Sequence, residues 1–171
     1  FRKYVNRPGV NRTDIFPTFF VADGSSYVGS GQLDGNGIPL DFFNDINMRK
    51  ALATCFNYDL YNQEVLLGQG VRNNGPIISG MLGYNPDGQT YDYDPEACDA
   101  YIAEAWGGQL PETGFRFQIA FNTGNTTRQT IGEILQGEFG ALNPLYQIET
   151  LGLPWPTFLA AQRASQLPVA V

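Results

Sequence analysis

Apolar and polar positions alternate most cleanly in the last third of the chain. FRFQIAF (115–121) puts Phe115, Phe117, Ile119 and Phe121 on one side of a strand. Asn125 or Thr126 then caps a helix whose Ile131, Ile134 and Leu135 turn inward and which Gly140 can end. LYQIETL (145–151) predicts the next strand, Pro156 opens a short helix through Phe158, Leu159 and Ala164, and LPVAV (167–171) predicts a last strand. Strand, helix, strand, helix, strand at this spacing implies βαβ units. The fold class expected is therefore α/β, a mainly parallel sheet flanked by helices and joined by right-handed crossovers.

Upstream, the period changes. Met48, Ala51, Leu52 and Cys55 fall at i, i+3, i+4 and i+7, one face of a helix over Asp45–Phe56 with Asn44 or Asp45 as its cap; Arg49 and Lys50 lie off that face. A shorter helix over Tyr58–Leu67 ends at Gly68. A third begins with Asp94 as cap, Pro95 at the first helical position and Glu96 in the first turn, with Ala97, Cys98, Tyr101, Ile102 and Ala105 inward. FPTFFVAD (16–23) is aromatic and β-branched and predicts a strand. Residues 1–15, with Arg2, Lys3, Arg7 and Arg12 and a Pro8–Gly9 turn, predict an irregular or edge segment. Residues 24–44 carry too many glycines for a regular element. Residues 69–93 form a long Asn/Gly/Pro loop of the kind that is usually functional. All of this fits a single α/β domain over 1–171, long enough for a real core.

Charge narrows the partners. The net charge is −7 with no clustered Lys and Arg, so a nucleic-acid partner is not expected. No apolar run is long enough to span a membrane, and none of these residues reads as a signal peptide. The chain begins at Phe1 without Met and ends in an apparent strand, which suggests a piece of a longer protein. Cys55 and Cys98, each on an apolar stripe, read as two small buried thiols, with a disulfide between the two helices left open by spacing alone.

Candidate chemistry is thin. With no His, a His-rich metal site and a Ser-His triad built on Ser25, Ser26, Ser30 or Ser79 are both excluded, and no cofactor is expected. Asp34–Gly37 with Asp41 and Asp45 fails the calcium-loop pattern, since position five is Ile38 and position twelve is Asp45. Gly29, Gly31 and Gly35 lack the Lys-Ser/Thr of a phosphate loop. Asp87, Asp92 and Asp94 could act as paired carboxylates in a hydrolase. A turn role for Asp87 and a cap role for Asp94 explain two of them better, so no enzyme is expected. Asn11-Arg-Thr13 and Asn125-Thr-Thr127 match the glycosylation sequon, the second more simply a helix cap. Trp155, between two prolines, reads as a staple from its helix to the sheet. Tyr84 and Asn74 in the long loop are candidate ligand contacts.

The order of parts from Asp45 to Trp106 is more specific than any single motif. Asp45, Arg49 and Ala51 open it; Asn57 to Asp59 make a turn into a second helix; Gly75, Pro76 and Tyr84 mark a loop. Asp94, Pro95, Glu96 and, one position early, Ala97 start the last helix. This succession resembles lobe two of the family-5 extracellular solute-binding proteins of ABC importers, the dipeptide and oligopeptide binders. The resemblance covers the chain from about the FPTFF segment onward and implies one lobe of a two-lobed periplasmic-binding-protein type II fold. It also implies an extracytoplasmic location, an ABC permease as partner and a small solute as ligand, a peptide in many members and sugars, nickel, haem or opines in others. In that family the Asp that holds a peptide's amino terminus follows a strand like LPVAV, so the main anchor is expected beyond Val171. This piece alone is then expected to bind no ligand measurably and, with apolar edges uncovered, to self-associate. A carboxylate-dependent hydrolase, or a receptor or chaperone domain using the same lobe, are the alternatives.

Overall fold

The computed structural model describes residues 11–171. Strand β1 (Phe16–Pro17) is followed by a single 3-10 turn at Phe42–Asn44 and by helices α1 (Ile46–Thr54), α2 (Tyr58–Glu64) and α3 (Pro95–Glu104). A second 3-10 turn (Ala105–Gly108) leads to the short α4 (Leu110–Thr113). Then come β2 (Phe115–Asn122), α5 (Thr126–Leu142), β3 (Tyr146–Leu153), α6 (Trp155–Arg163) and β4 (Val169–Ala170). The strands are ordered β1-β4-β2-β3. β2 runs parallel to β3 from Phe115↔Tyr146 to Asn122↔Leu153, and parallel to β4 at Ile119↔Val169. β1 is antiparallel on the β4 edge. The expected mainly parallel sheet is therefore present.

Side-chain alternation along β2 feeds two cores. Phe115, Phe117 and Ile119 join the larger one with α1, α3 and α5, where Met48, Leu52, Ile102, Ile131, Leu135 and Phe139 are buried. Ala120 turns to the opposite face and packs with Phe158 and Ala161 of α6 and with Leu167 and Ala170. The helix starts follow their caps. The side chains of Asp45, Asn57, Asp94 and Asn125 accept from the backbone N–H groups of Asn47, Leu60, Ala97 and Arg128 at 2.7–3.1 Å.

Several expectations are corrected. The strand over 16–23 is only two residues long. Pro17 has no N–H for the ladder, and beyond Thr18 the chain turns to other partners, Val21 donating to the Leu40 carbonyl and Ala22 to that of Ser165. The 24–44 stretch forms no regular element before the 3-10 turn but is not peripheral: Val28, Ile38, Phe42 and Phe43 are buried. The backbone folds so tightly there that a Cβ on Gly29 would lie 2.2 Å from the Asn36 carbonyl oxygen. α2 stops at Glu64, short of Leu67. α5 runs past Gly140 to Leu142, the roughly 1 kcal/mol that a helical Gly costs being offset by the burial of Phe139 beside it. Cys55 and Cys98 are not free thiols. The C-cap of α1 and the first turn of α3 bring their Cα atoms to 5.3 Å, and they form a disulfide.

One surface ion pair gives a pH-dependent reporter. On β3 the Glu149 carboxylate accepts from Arg116 (Nε at 3.1 Å, and Nη2) and from Gln118 Nε2 at 3.1 Å, two cross-strand neighbours on β2. The Arg116 hydrogen bond first, then that from Gln118, holds the carboxyl below the usual range. A depressed folded pKa means that the contribution is complete above the ordinary glutamate value of about 4.3 and disappears as pH falls through the lower folded value. Arg116→Ala is expected to raise the Glu149 pKa toward the ordinary value in a carboxyl NMR titration. An unmoved titration curve would show that the guanidinium does not set it.

Candidate functional site

In an open α/β sheet, ligands lie beyond the carboxyl ends of the parallel strands. Here β2 delivers Asn122, Thr123 and the start of α5 to that edge; β3 delivers Leu153, Pro154 and Trp155. Arg128 Nη1 donates to Asn122 Oδ1 at 2.9 Å and pins the first of these turns. The second is set by Pro154 and Pro156, which flank Trp155 at the first position of α6. Trp155 is 52% exposed, its ring stacked at 5.8 Å on buried Phe158. It therefore presents a supported aromatic face to solvent, in place of the sheet staple expected from sequence.

A concavity lies where the 69–93 loop meets the chain leading into β1. Arg12, Asp14, Tyr58, Arg72, Asn74 and Tyr91 are among its lining residues. β1 is antiparallel to β4, so residues 12–15 extend past the Phe16↔Ala170 pair, off the carboxyl side of β4. Arg12 donates to the Gly75 carbonyl at 3.1 Å and to that of Pro76. Arg72 lies 3.9 Å over the Tyr58 ring and pairs with Asp92 at 2.7 Å. Burial pushes the Tyr58 phenol up, while Arg72 opposes and Asp92 reinforces the shift.

The two loop candidates lie apart in role. Asn74 lines the concavity and knots the loop to itself: Nδ2 donates to the carbonyls of Asn85 (2.9 Å) and Pro86 (2.8 Å), and its buried Oδ1 finds no donor. Tyr84 is half-buried in a turn closed by its N–H to the Met81 carbonyl, outside that lining. The three carboxylates do not converge as an acid–base pair: Asp94 caps α3, Asp92 pairs with Arg72, and Asp87 lies in a turn where its N–H donates to Asn85 Oδ1. Sequence reasoning passed over Tyr58, Arg72 and Tyr91. The available signal was that Arg72 is the lone cation in an otherwise uncharged or acidic loop. Among the described residues no His, Cys, Asp or Glu cluster could hold a metal ion, and no helix is long and apolar enough to cross a membrane.

A mainly parallel sheet with an open, aromatic-bearing carboxyl edge and a long flanking loop is the arrangement of a solute-binding lobe, one half of the two-lobed periplasmic-binding-protein type II fold. Residues 24–171 match the model of the bacterial extracellular solute-binding proteins, family 5, middle region, and the chain belongs to that family. The dipeptide-binding protein of Escherichia coli K12 is 42% identical over 67 residues, 39% of this chain and 12% of that protein. Di/tripeptide-binding protein 2 of Pseudomonas aeruginosa is 30% identical over 103 residues, 58% of this chain and 19% of that protein. Among solved structures, an ABC transporter-associated periplasmic binding protein of Helicobacter pylori, in complex with the peptide STSA, superposes with a TM-score of 0.64 at 19% identity. That match covers 75% of this chain and 24% of the other. The chain thus spans only 12% and 19% of the lengths of those two curated relatives. Family membership places it outside the cytoplasm, a setting in which a disulfide persists.

Proposed function

We propose that this chain forms one wall of the cleft of an ABC importer's solute-binding component and that the solute is a peptide. The observation that carries the solute class is the 42% identity over 67 residues to a dipeptide-binding protein. The geometry supports the same reading. Peptides offer apolar side chains and a polar backbone, and the carboxyl edge offers the Trp155 face beside the polar Asn122–Asn125 turn. The 69–93 loop supplies the adjoining wall, with Tyr84 giving its ring and Asn74 holding the 85–86 turn in place. The peptide is held and released intact: Asp92 pairs with Arg72 and Asp94 caps α3, which leaves the Asp87 carboxylate without a second carboxylate to work with. Delivery is to an ABC permease.

The test is calorimetric titration of the full-length protein with dipeptides, tripeptides and longer peptides. Saturable binding is expected, and Trp155→Ala is expected to weaken it about tenfold, roughly 1.4 kcal/mol, as for loss of an aromatic contact. Failure of every peptide length to bind would reject the solute class. Unchanged affinity in Trp155→Ala would reject the role of the carboxyl edge.

A further inference from the structure

From Asn62 to Ala97 no residue is buried. Val65 and Leu66 at its start pack partly buried against the core; beyond them the segment has little to hold it in one conformation. Its own ties are polar and peripheral: Asn62 Oδ1 accepts from the Gly70 N–H at 2.9 Å, Arg72 reaches Tyr58 and Asp92, and Tyr93 donates to Glu138 at 2.7 Å. The apolar side chains after Leu66 add little, since Leu67, Val71, Met81 and Leu82 are all more than half exposed. The two cysteines bracket this segment. Cys55 caps α1 ahead of α2, on whose last turn the segment begins, and Cys98 follows the segment directly in the first turn of α3; they are 1% and 0% exposed respectively. One hydrogen bond joins the same two stems, Asp94 N–H to the Thr54 carbonyl at 2.8 Å.

We propose that the Cys55–Cys98 disulfide is the device that orders the 62–97 segment, so that its redox state sets the order of that segment while the helices beneath stay packed. Reduction by a dithiol transfers two electrons and two protons to the bond. It leaves two thiols on the chain and an intramolecular disulfide on the reductant. The helices tolerate the change. Both sulfurs are enclosed by the α1–α3 contact, and Cys98 Sγ, 3.4 Å from the Ala51 carbonyl oxygen, has an acceptor for its new S–H. The segment does not, because its stems then lose their only covalent tie. The inference is independent of which solute binds.

Arg72 is the sole Lys or Arg between the two cysteines, which gives trypsin a single site inside the bracket. Its side chain is engaged by Tyr58 and Asp92, so cleavage requires local opening. Full-length protein, oxidised, reduced with dithiothreitol while unfolded and then refolded, or carrying Cys55→Ala with Cys98→Ala, is digested well below its unfolding midpoint, with no peptide present. Cleavage after Arg72 is expected to be at least tenfold faster in the reduced and double-alanine forms, before Arg116 in β2 and Arg128 in α5 are cut. In the oxidised form the nicked pieces stay joined on a non-reducing gel. An unchanged rate at Arg72 would overturn the proposal. So would cleavage at Arg72, Arg116 and Arg128 in step, in the reduced wild-type protein as well as the variant, since the bond would then stabilise the whole lobe without setting this segment apart.

Discussion

Removing the Cys55–Cys98 bond is expected to lower the stability of this lobe by about 4 kcal/mol, the chain-entropy value for a cross-link across some forty residues. The bond closes a sequence separation of 43, and from Asn62 to Ala97 the chain inside it contributes no buried side chain that could compensate. Stability of the order of 5–15 kcal/mol is usual for a domain, so this one bond carries a large share. For a domain of this size the loss corresponds to a fall in midpoint of roughly 8–16 °C. Calorimetry of the Cys55→Ala/Cys98→Ala protein measures it. Protein reduced while unfolded and then refolded is the second arm, because neither sulfur is exposed to reductant in the folded state. A shift below about 2 °C in both arms would show that the bond constrains the unfolded chain far less than its loop length implies.

The second large effect is expected at Phe42. Its ring lies 5.2 Å from Phe43, 5.8 Å from Trp106, 5.5 Å from Phe115 and 6.2 Å from Phe117, and the residue is 1% exposed. Its backbone carbonyl accepts from Trp106 Nε1 at 3.2 Å, and Trp106 is held at a positive φ of 51° by a hydrogen bond from its N–H to Asp45 Oδ2 at 3.0 Å. The 3-10 turn, β2 and the turn after α3 thus meet on one ring. Phe42→Ala opens a cavity that a sheet strand and a disulfide-tied helix pair cannot easily fill, and is expected to cost about 3–5 kcal/mol. Chemical denaturation reads this as a lower midpoint at unchanged slope. A loss near 1 kcal/mol would mean that the surrounding aromatics close over the gap. Phe42→Leu, which keeps most of the volume, is expected to lose less than half as much.

Phe42 also marks where sequence reasoning stops. It stands in a stretch crowded with glycines, and glycine frequency argues for loop. The glycines instead let the backbone double back, Gly29 bridging to Gly37, so that Val28, Ile38, Phe42 and Phe43 reach the interior without any regular element. No period of 2 or 3.6 exists there to be read. Arg49 is a similar case. Lying off the apolar face of α1, it turns back to hold the carbonyls of Phe43 and Asn44 at 2.6 and 2.8 Å, with its guanidinium 4.3 Å from the Phe19 ring centroid. Of the site residues, Trp155 was visible for its prolines but not for its exposure. Arg72 showed only as the lone cation of its loop, and the contacts of Arg12 with the Gly75 carbonyl and of Arg72 with Asp92 span 63 and 20 residues, beyond any local pattern.

By itself, the sequence determined the features that local chemistry decides. Asp45, Asn57, Asp94 and Asn125 start helices because their side chains reach N–H groups two or three residues on. The alternation in 115–121 makes a strand because successive side chains point to opposite faces. The order of such parts was enough for the family, which residues 24–171 match. Only the tertiary structure decided that Cys55 and Cys98 are bonded, that Trp155 faces outward at the carboxyl edge, and that Asp92 is spent on Arg72. Each of these depends on the distance between groups far apart in the chain. That distance is set by how the α1–α3 pair packs and where β2, β3 and β4 end, which no local pattern of residues encodes.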